Sequence, residues 1–181
     1  MKSSVVARNY AEALLTVADQ AGAVEKIGEL LDAVAGAIAS DTSLKAVMMS
    51  PRIRKSQKQE MLAKALGPVA PAGFVKFLQA VVQRGRQDLF SEMSAAYQLL
   101  ADKHFNRVHA SVVTARDADA ALRQIVTERL TQTIGKTVLP HFRTDPAILG
   151  GVIVRLGDRV LDGSIRRRIQ TLRARMLNSG R

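Results

Sequence analysis

Apolar residues recur at three- and four-residue intervals from the start of the chain to about Phe105, the spacing of one buried face on a helix. A first helix is predicted from about Ser4 to Ala21, with Val6, Tyr10, Leu14 and Val17 along one face, and Gly22 ends it. A second carries Val24, Ile27, Leu31, Val34 and Ile38 opposite Glu25, Lys26, Glu29 and Asp32. Asp41 or Thr42 can cap a short third helix, which stops before Pro51 because proline disfavours helix at the preceding residue. A strongly polar fourth covers Lys55 to Leu66 and ends at Gly67-Pro68. Pro71 opens a fifth with Phe74, Phe77, Leu78, Val81 and Val82 on a broad apolar face, and Gly85 breaks it. The sixth runs from about Gln87 to Phe105 with Leu89, Met93, Tyr97 and Leu100 in register. Short connections favour antiparallel packing, so residues 1–105 read as a six-helix bundle.

After Asn106 the period changes. Val108, Ala110 and Val112 alternate with His109 and Ser111, as in a strand. Asp117 or Asp119 then caps a helix bearing Leu122, Ile125, Val126, Leu130 and Ile134. Thr137–Thr144 is a second strand, in which Pro140 suits an edge position. Gly151–Leu156 is a third, turning at Gly157-Asp158 into Arg159-Val160-Leu161. A last helix starts at Ile165, with Ile169, Leu172 and Met176 on one stripe. Residues 106–181 therefore read as a small α+β domain, and the whole chain as mainly α.

Charge divides along the same boundary. The 181 residues carry 27 Lys+Arg against 16 Asp+Glu, a formal net charge of +11. Residues 1–106 hold 13 basic and 10 acidic side chains, residues 107–181 hold 14 and 6, so the second segment owns most of the field. Nucleic acid, anionic lipid or an acidic protein would each suit that charge. A hydrophobic fraction of 47% is enough for real cores. With no cysteine, disulfides, thiolate metal sites and thiol nucleophiles are excluded. No secretory signal is expected at the N-terminus, and no stretch approaches the roughly 20 apolar residues a membrane span needs, so membrane association is expected through a partner.

Candidate chemistry is sparse. Gly135-Lys136-Thr137 resembles the tail of a phosphate-binding loop, but Leu130 stands where that loop needs its first glycine, and a helix precedes it. A helix C-cap glycine is the better reading. Gly150-Gly151 lacks the dinucleotide spacing and fits a close backbone approach instead. His104, His109 and His141 fall on different predicted elements with no metal-ligand spacing, so no metal or cofactor is expected. Asp158 and Asp162, flanked by Gly157 and Gly163, read as turn formers and a helix N-cap. No serine lies in a nucleophile elbow and no paired histidines mark a zinc protease, so the chain is expected not to be an enzyme. Arg166, Arg167 and Arg168 in the first turn of the last helix, with Arg173 and Arg175, read as one charged face. That face is either solvated and partly neutralised by Asp162, or a docking surface for something acidic. A basic RNA- or nucleoid-binding protein is the alternative. Against it, aromatics are only 4% and are not interleaved with basic residues.

The stretch GGVIVRLGDRVLDGSIRRRIQTLR, Gly150 to Arg173, resembles the C-terminal signature of the delta subunit family of F-type ATP synthases, whose mitochondrial counterpart is the oligomycin-sensitivity-conferring protein. The signature positions are Gly150, Gly151, Gly157, Asp158, Asp162, Gly163 and Ser164, with Asp145-Pro146 as lead-in. Arg8 to Leu14 is similar to the family's opening helix, Ser50-Pro51 with Lys58 to the segment between its third and fourth helices, and Phe77-Leu78 with Gly85-Arg86 to its fifth. Val112 to Ala115 is similar to the end of its first C-terminal strand. The resemblance implies a non-catalytic stator component that links the alpha/beta head to the b-type peripheral stalk, so that rotation is coupled to proton flow and ATP synthesis. It implies that the N-terminal segment of an alpha subunit lies between the first and fifth helices, with Tyr10, Ala11, Leu14, Phe77, Leu78 and Val81 as candidate lining. It also implies that the C-terminal ends of the stalk subunits meet the second domain, where the five arginines are candidates. Neither nucleic acid nor direct membrane insertion is implied. The expected place is the cytoplasmic face of a bacterial membrane, as a peripheral part of the complex.

Overall fold

The computed structural model describes residues 2–178, which are mainly helical with a small four-stranded mixed sheet near the C-terminus. The chain divides into two compact units, Met1–His104 and Phe105–Arg181.

The first unit holds α1 (Lys2–Gln20), α2 (Val24–Ser40), α3 (Thr42–Met49), α4 (Lys55–Leu66) and α5 (Ala72–Gln83), then a 3-10 turn (Gln87–Leu89) leading into α6 (Phe90–His104). All six α-helices contribute to one hydrophobic core. In α2 the predicted stripe is the buried one, because Val24, Ile27, Leu31, Val34 and Ile38 all face inward. In α1 the core stripe is instead Ala7, Ala11, Leu14 and Ala18. Three of those four residues are alanines, so neighbouring backbones can approach closely. Tyr97 on α6 is fully buried, and its hydroxyl donates to the Val24 carbonyl at 2.9 Å. Burial pushes the phenol up to about 12. Gly28 leaves room for that ring, since a Cβ there would lie 3.1 Å from Tyr97 Cε1.

Helix ends follow local chemistry. Asp41, not Thr42, caps α3, its carboxylate accepting from the Ser43 and Leu44 amides at 2.8 and 3.1 Å. Pro71 stands just outside α5 as its N-cap. The polar α4 is held by side-chain-to-backbone bonds as much as by apolar contact. Lys58 is buried and donates from Nζ to the carbonyls of Met48 and Ser50 at 2.6 and 2.8 Å, satisfying orphan acceptors at the end of α3. Gln59 and Gln79 exchange amide-to-carbonyl bonds between α4 and α5.

The second unit holds β1 (Arg107–Thr114), α7 (Ala120–Ile134), β2 (Thr137–Thr144), β3 (Val152–Leu156), β4 (Arg159–Asp162) and α8 (Ile165–Asn178). The sheet order is β2-β1-β3-β4. β1 and β2 run parallel with α7 as their crossover, while β3 pairs antiparallel with both β1 and β4. Pro140 lies on the edge strand, where its missing N–H interrupts no ladder. Asp119 caps α7 by accepting from the Leu122 amide at 2.8 Å, and Gly135 closes the helix at φ 69°. Ala110, Val112, Val138, Val154 and Leu130 form this unit's core. The predicted α7 stripe is only partly inside, since Leu122 and Ile125 are exposed. In α8 none of the side chains described is buried, so the expected apolar stripe faces solvent.

Candidate interaction surfaces

A groove of about 640 Å³ runs between α1 and α5, lined by Val6, Asn9, Tyr10, Ala13, Phe77, Ala80, Arg84 and Arg86. Tyr10 and Phe77 are half-buried and meet edge to face, with ring centroids 6.2 Å apart and planes at 72°. Ala13 and Ala80 supply the width, because small side chains at those positions leave concave space. At the far end of α1, Gly73 lets α5 come near Val17, where a Cβ would sit 3.3 Å from Val17 Cγ1.

Two of the six predicted lining residues, Tyr10 and Phe77, are in this groove. Ala11, Leu14, Leu78 and Val81 are not. All four have no exposed surface and belong to the core beneath it. The correction is one step of helix geometry. Val6, Tyr10, Ala13 and Val17 form one row, and Ala7, Ala11, Leu14 and Ala18 form the row beside it. Sequence reasoning joined Leu14 to the outer row because alanines give a weak apolar signal. It passed over Ala13 and Ala80, whose smallness is what opens the groove.

The glycine-aspartate segment of the second unit anchors α8. Gly151 has φ 81°, and a Cβ there would lie 2.3 Å from the Gly163 carbonyl oxygen, so only glycine fits. A Cβ on Gly150 would strike Ile165 Cδ1 at 2.6 Å. Gly163 donates to the Val152 carbonyl at 3.0 Å and Ile165 to the Gly150 carbonyl at 3.0 Å, locking the two segments backbone to backbone. Gly157 turns the β3–β4 hairpin at φ 55°, with Asp158 exposed beside it. Asp162 accepts from the Ser164 amide at 3.0 Å, and Ser164 Oγ accepts from the Arg167 amide at 3.2 Å. Bonding from the Ser164 hydroxyl and amide, then the Arg167 guanidinium at 3.7 Å, holds the Asp162 carboxyl below its ordinary 3.8. Ser164 is therefore the side chain that caps α8, while Asp162 braces the turn before it.

The five arginines do not form one face. Arg166 and Arg173 are seven residues apart and share one side of α8, Arg168 and Arg175 share another, and Arg167 lies at the back near Asp162. The three histidines lie on different elements, α6, β1 and β2, but two of them meet. His109 Nδ1 and His141 Nε2 are 3.0 Å apart on adjacent strands, with stacked rings 5.2 Å between centroids. His104 lies 3.3 Å from Asp19. Among the described residues no group of three or more metal-ligating side chains occurs, and no helix is long and apolar enough to cross a membrane.

The chain thus combines a helical unit that carries an open groove with an α+β unit that ends in a glycine-anchored helix. The family model for the ATP synthase delta (OSCP) subunit matches residues 6–176, and the chain belongs to that family of F-type ATP synthase subunits. It is 48% identical to ATP synthase subunit delta of Gemmatimonas aurantiaca over 171 residues, which is 94% of this chain and 92% of that protein. It is 32% identical to the same subunit of Desulforamulus reducens over 98% of both chains. A chain in the cryo-EM structure of the Toxoplasma gondii mitochondrial ATP synthase hexamer shares the fold, with TM-score 0.63, 21% identity, and coverage of 94% of this chain and 97% of that one.

Proposed function

We propose that this chain is a non-catalytic stator piece that ties the alpha/beta head of an F-type ATP synthase to its b-type peripheral stalk. The observation that carries the reading is the groove between α1 and α5. It is open, apolar at Tyr10 and Phe77, and floored by alanines, the form that accepts one face of an amphipathic helix. Its occupant is the N-terminal segment of an alpha subunit. Arg84 and Arg86 at the rim would fix the register of an acidic residue on that segment.

The second attachment is the basic α+β unit, where the C-terminal ends of the stalk subunits dock. Torque from the rotating shaft reaches the head, and the chain transmits the restraint without a reaction of its own. Both contacts must then survive load, so the head side relies on buried apolar area and the stalk side on charge-selected pairing. The chain works at the cytoplasmic face of the membrane, held there by its partners. Family membership weighs against the RNA-binding alternative, and α8 carries no aromatic residue on which a base could stack.

The test is a calorimetric titration of the full chain with a peptide of the cognate alpha subunit's N-terminus. Saturable one-to-one binding with a negative heat-capacity change is expected. Phe77→Ala should weaken it by about tenfold or more, as loss of an aromatic anchor does. Absence of binding by a folded chain would remove the groove's assigned partner.

A further inference from the structure

Ile165, Ile169, Leu172 and Met176 are spaced by four, three and four residues, the a/d seam of a heptad repeat. They are 44%, 52%, 58% and 77% exposed. Every position flanking that seam is arginine. Arg166 and Arg173 occupy the two e positions, Arg168 and Arg175 the two g positions, and α8 contains no acidic residue. Among the described residues, no carboxylate pairs with any of these four.

We propose that α8 is one strand of a heterotypic two-stranded coiled coil, whose other strand is a helix with its own apolar heptad seam and glutamate or aspartate on both flanks. This rests on the stalk-side reading above and names the chemistry of the segment that docks there. Three observations select that occupant. A second copy of α8 is disfavoured, because parallel or antiparallel pairing would set arginine against arginine along both flanks. A membrane surface calls for a broad apolar face, usually with aromatics, whereas this stripe is narrow, Leu177 being the one exposed large apolar residue described on α8 outside it, and it has no aromatic. Finally, α8 is a 14-residue helix with no buried side chain described and three arginines against the positive end of its dipole. So short a helix is marginal alone, and a covering partner supplies the packing it lacks. The Gly150–Ile165 and Ser164–Arg167 bonds fix only its first turn, leaving about one and a half heptads free to pair.

The experiment uses the full chain and two labelled three-heptad peptides with isoleucine at a and leucine at d, one with glutamate at every e and g, the other with lysine. Fluorescence anisotropy should show the glutamate peptide binding about tenfold or more tightly than the lysine peptide, weakening as salt rises. A chain carrying Arg166→Glu, Arg168→Glu, Arg173→Glu and Arg175→Glu should reverse that preference. Ile169→Asp with Leu172→Asp should abolish binding of the glutamate peptide without lowering Tm, since both side chains are exposed. Equal binding of the two peptides, no reversal, or no loss in the aspartate variant would each overturn the proposal. So would binding of phosphatidylglycerol vesicles through these residues with neither peptide bound. The cognate stalk subunit separates this from the reading beneath it. If it binds the native chain and the aspartate variant equally, stalk docking stands and the seam falls. If the peptides behave as expected but the stalk subunit does not bind, the seam stands and stalk docking falls.

Discussion

α2 and α8 are both amphipathic helices, of 17 and 14 residues, and each shows its apolar stripe plainly in the sequence. α2 buries seven residues against its own chain, whereas α8 buries none of those described. A periodic stripe states that a face needs covering, not what covers it. α1 stands between them, with its alanine row in the core and the adjacent Val6–Tyr10 row left half-open in the groove. Burial within the chain thus separates the residues that hold the fold from those that are free to hold a partner.

The sharpest way to break that comparison is to place the same charge on both kinds of stripe. Leu14→Asp puts an unpaired carboxylate in a site with no exposed surface and should cost at least about 3 kcal/mol, read as a lower denaturation midpoint in urea. Ile169→Asp, at 52% exposure, should change the midpoint by no more than about 0.5 kcal/mol. Equal losses would erase the distinction. Gly151→Ala should follow, at about 2 kcal/mol, because it combines strained backbone with a clash against the Gly163 carbonyl. Its loss should appear in hydrogen exchange of β3 and α8, and not in α2.

A smaller effect is expected for Tyr97→Phe. It leaves the buried Val24 carbonyl without its donor and should cost about 1–2 kcal/mol by chemical denaturation. The same phenol gives an alkaline signature. Its value is raised in the fold, so its contribution is complete below the ordinary 10.0 and is lost as pH climbs toward about 12. Tyr97→Phe should remove that portion of the alkaline loss. The smallest effect belongs to Asp162, whose carboxyl is held below 3.8 in the fold. Its contribution is present above that value and disappears as pH falls through the lower folded value. The stability gap between the native chain and Asp162→Asn should therefore close in acid.

Legibility in the sequence tracked the size of the side chains involved. The α2 stripe could be read residue by residue because isoleucine, leucine and valine mark it. On α1 alanines carry the core, and a pattern of large side chains alone puts Leu14 in the outer row, one step too shallow. The ends of α3 and α7 were narrowed to two residues each, and only geometry chose Asp41 and Asp119. The His109–His141 contact was out of reach, because residues 32 apart meet only through the parallel register of β1 and β2. Lys58 was equally hidden, since its burial depends on carbonyls that α3 leaves unpaired. The glycine-rich segment from Gly150 was legible as a close approach, though its purpose of seating α8 was not.

The proposed stator role requires two separate attachment surfaces that can be filled together. Sedimentation of the full chain with the alpha-subunit peptide and the cognate stalk subunit tests it most directly. A complex containing all three, with the affinity for each partner unchanged by the other, is the predicted result. Displacement of one partner by the other would mean a shared surface, and would contradict the account.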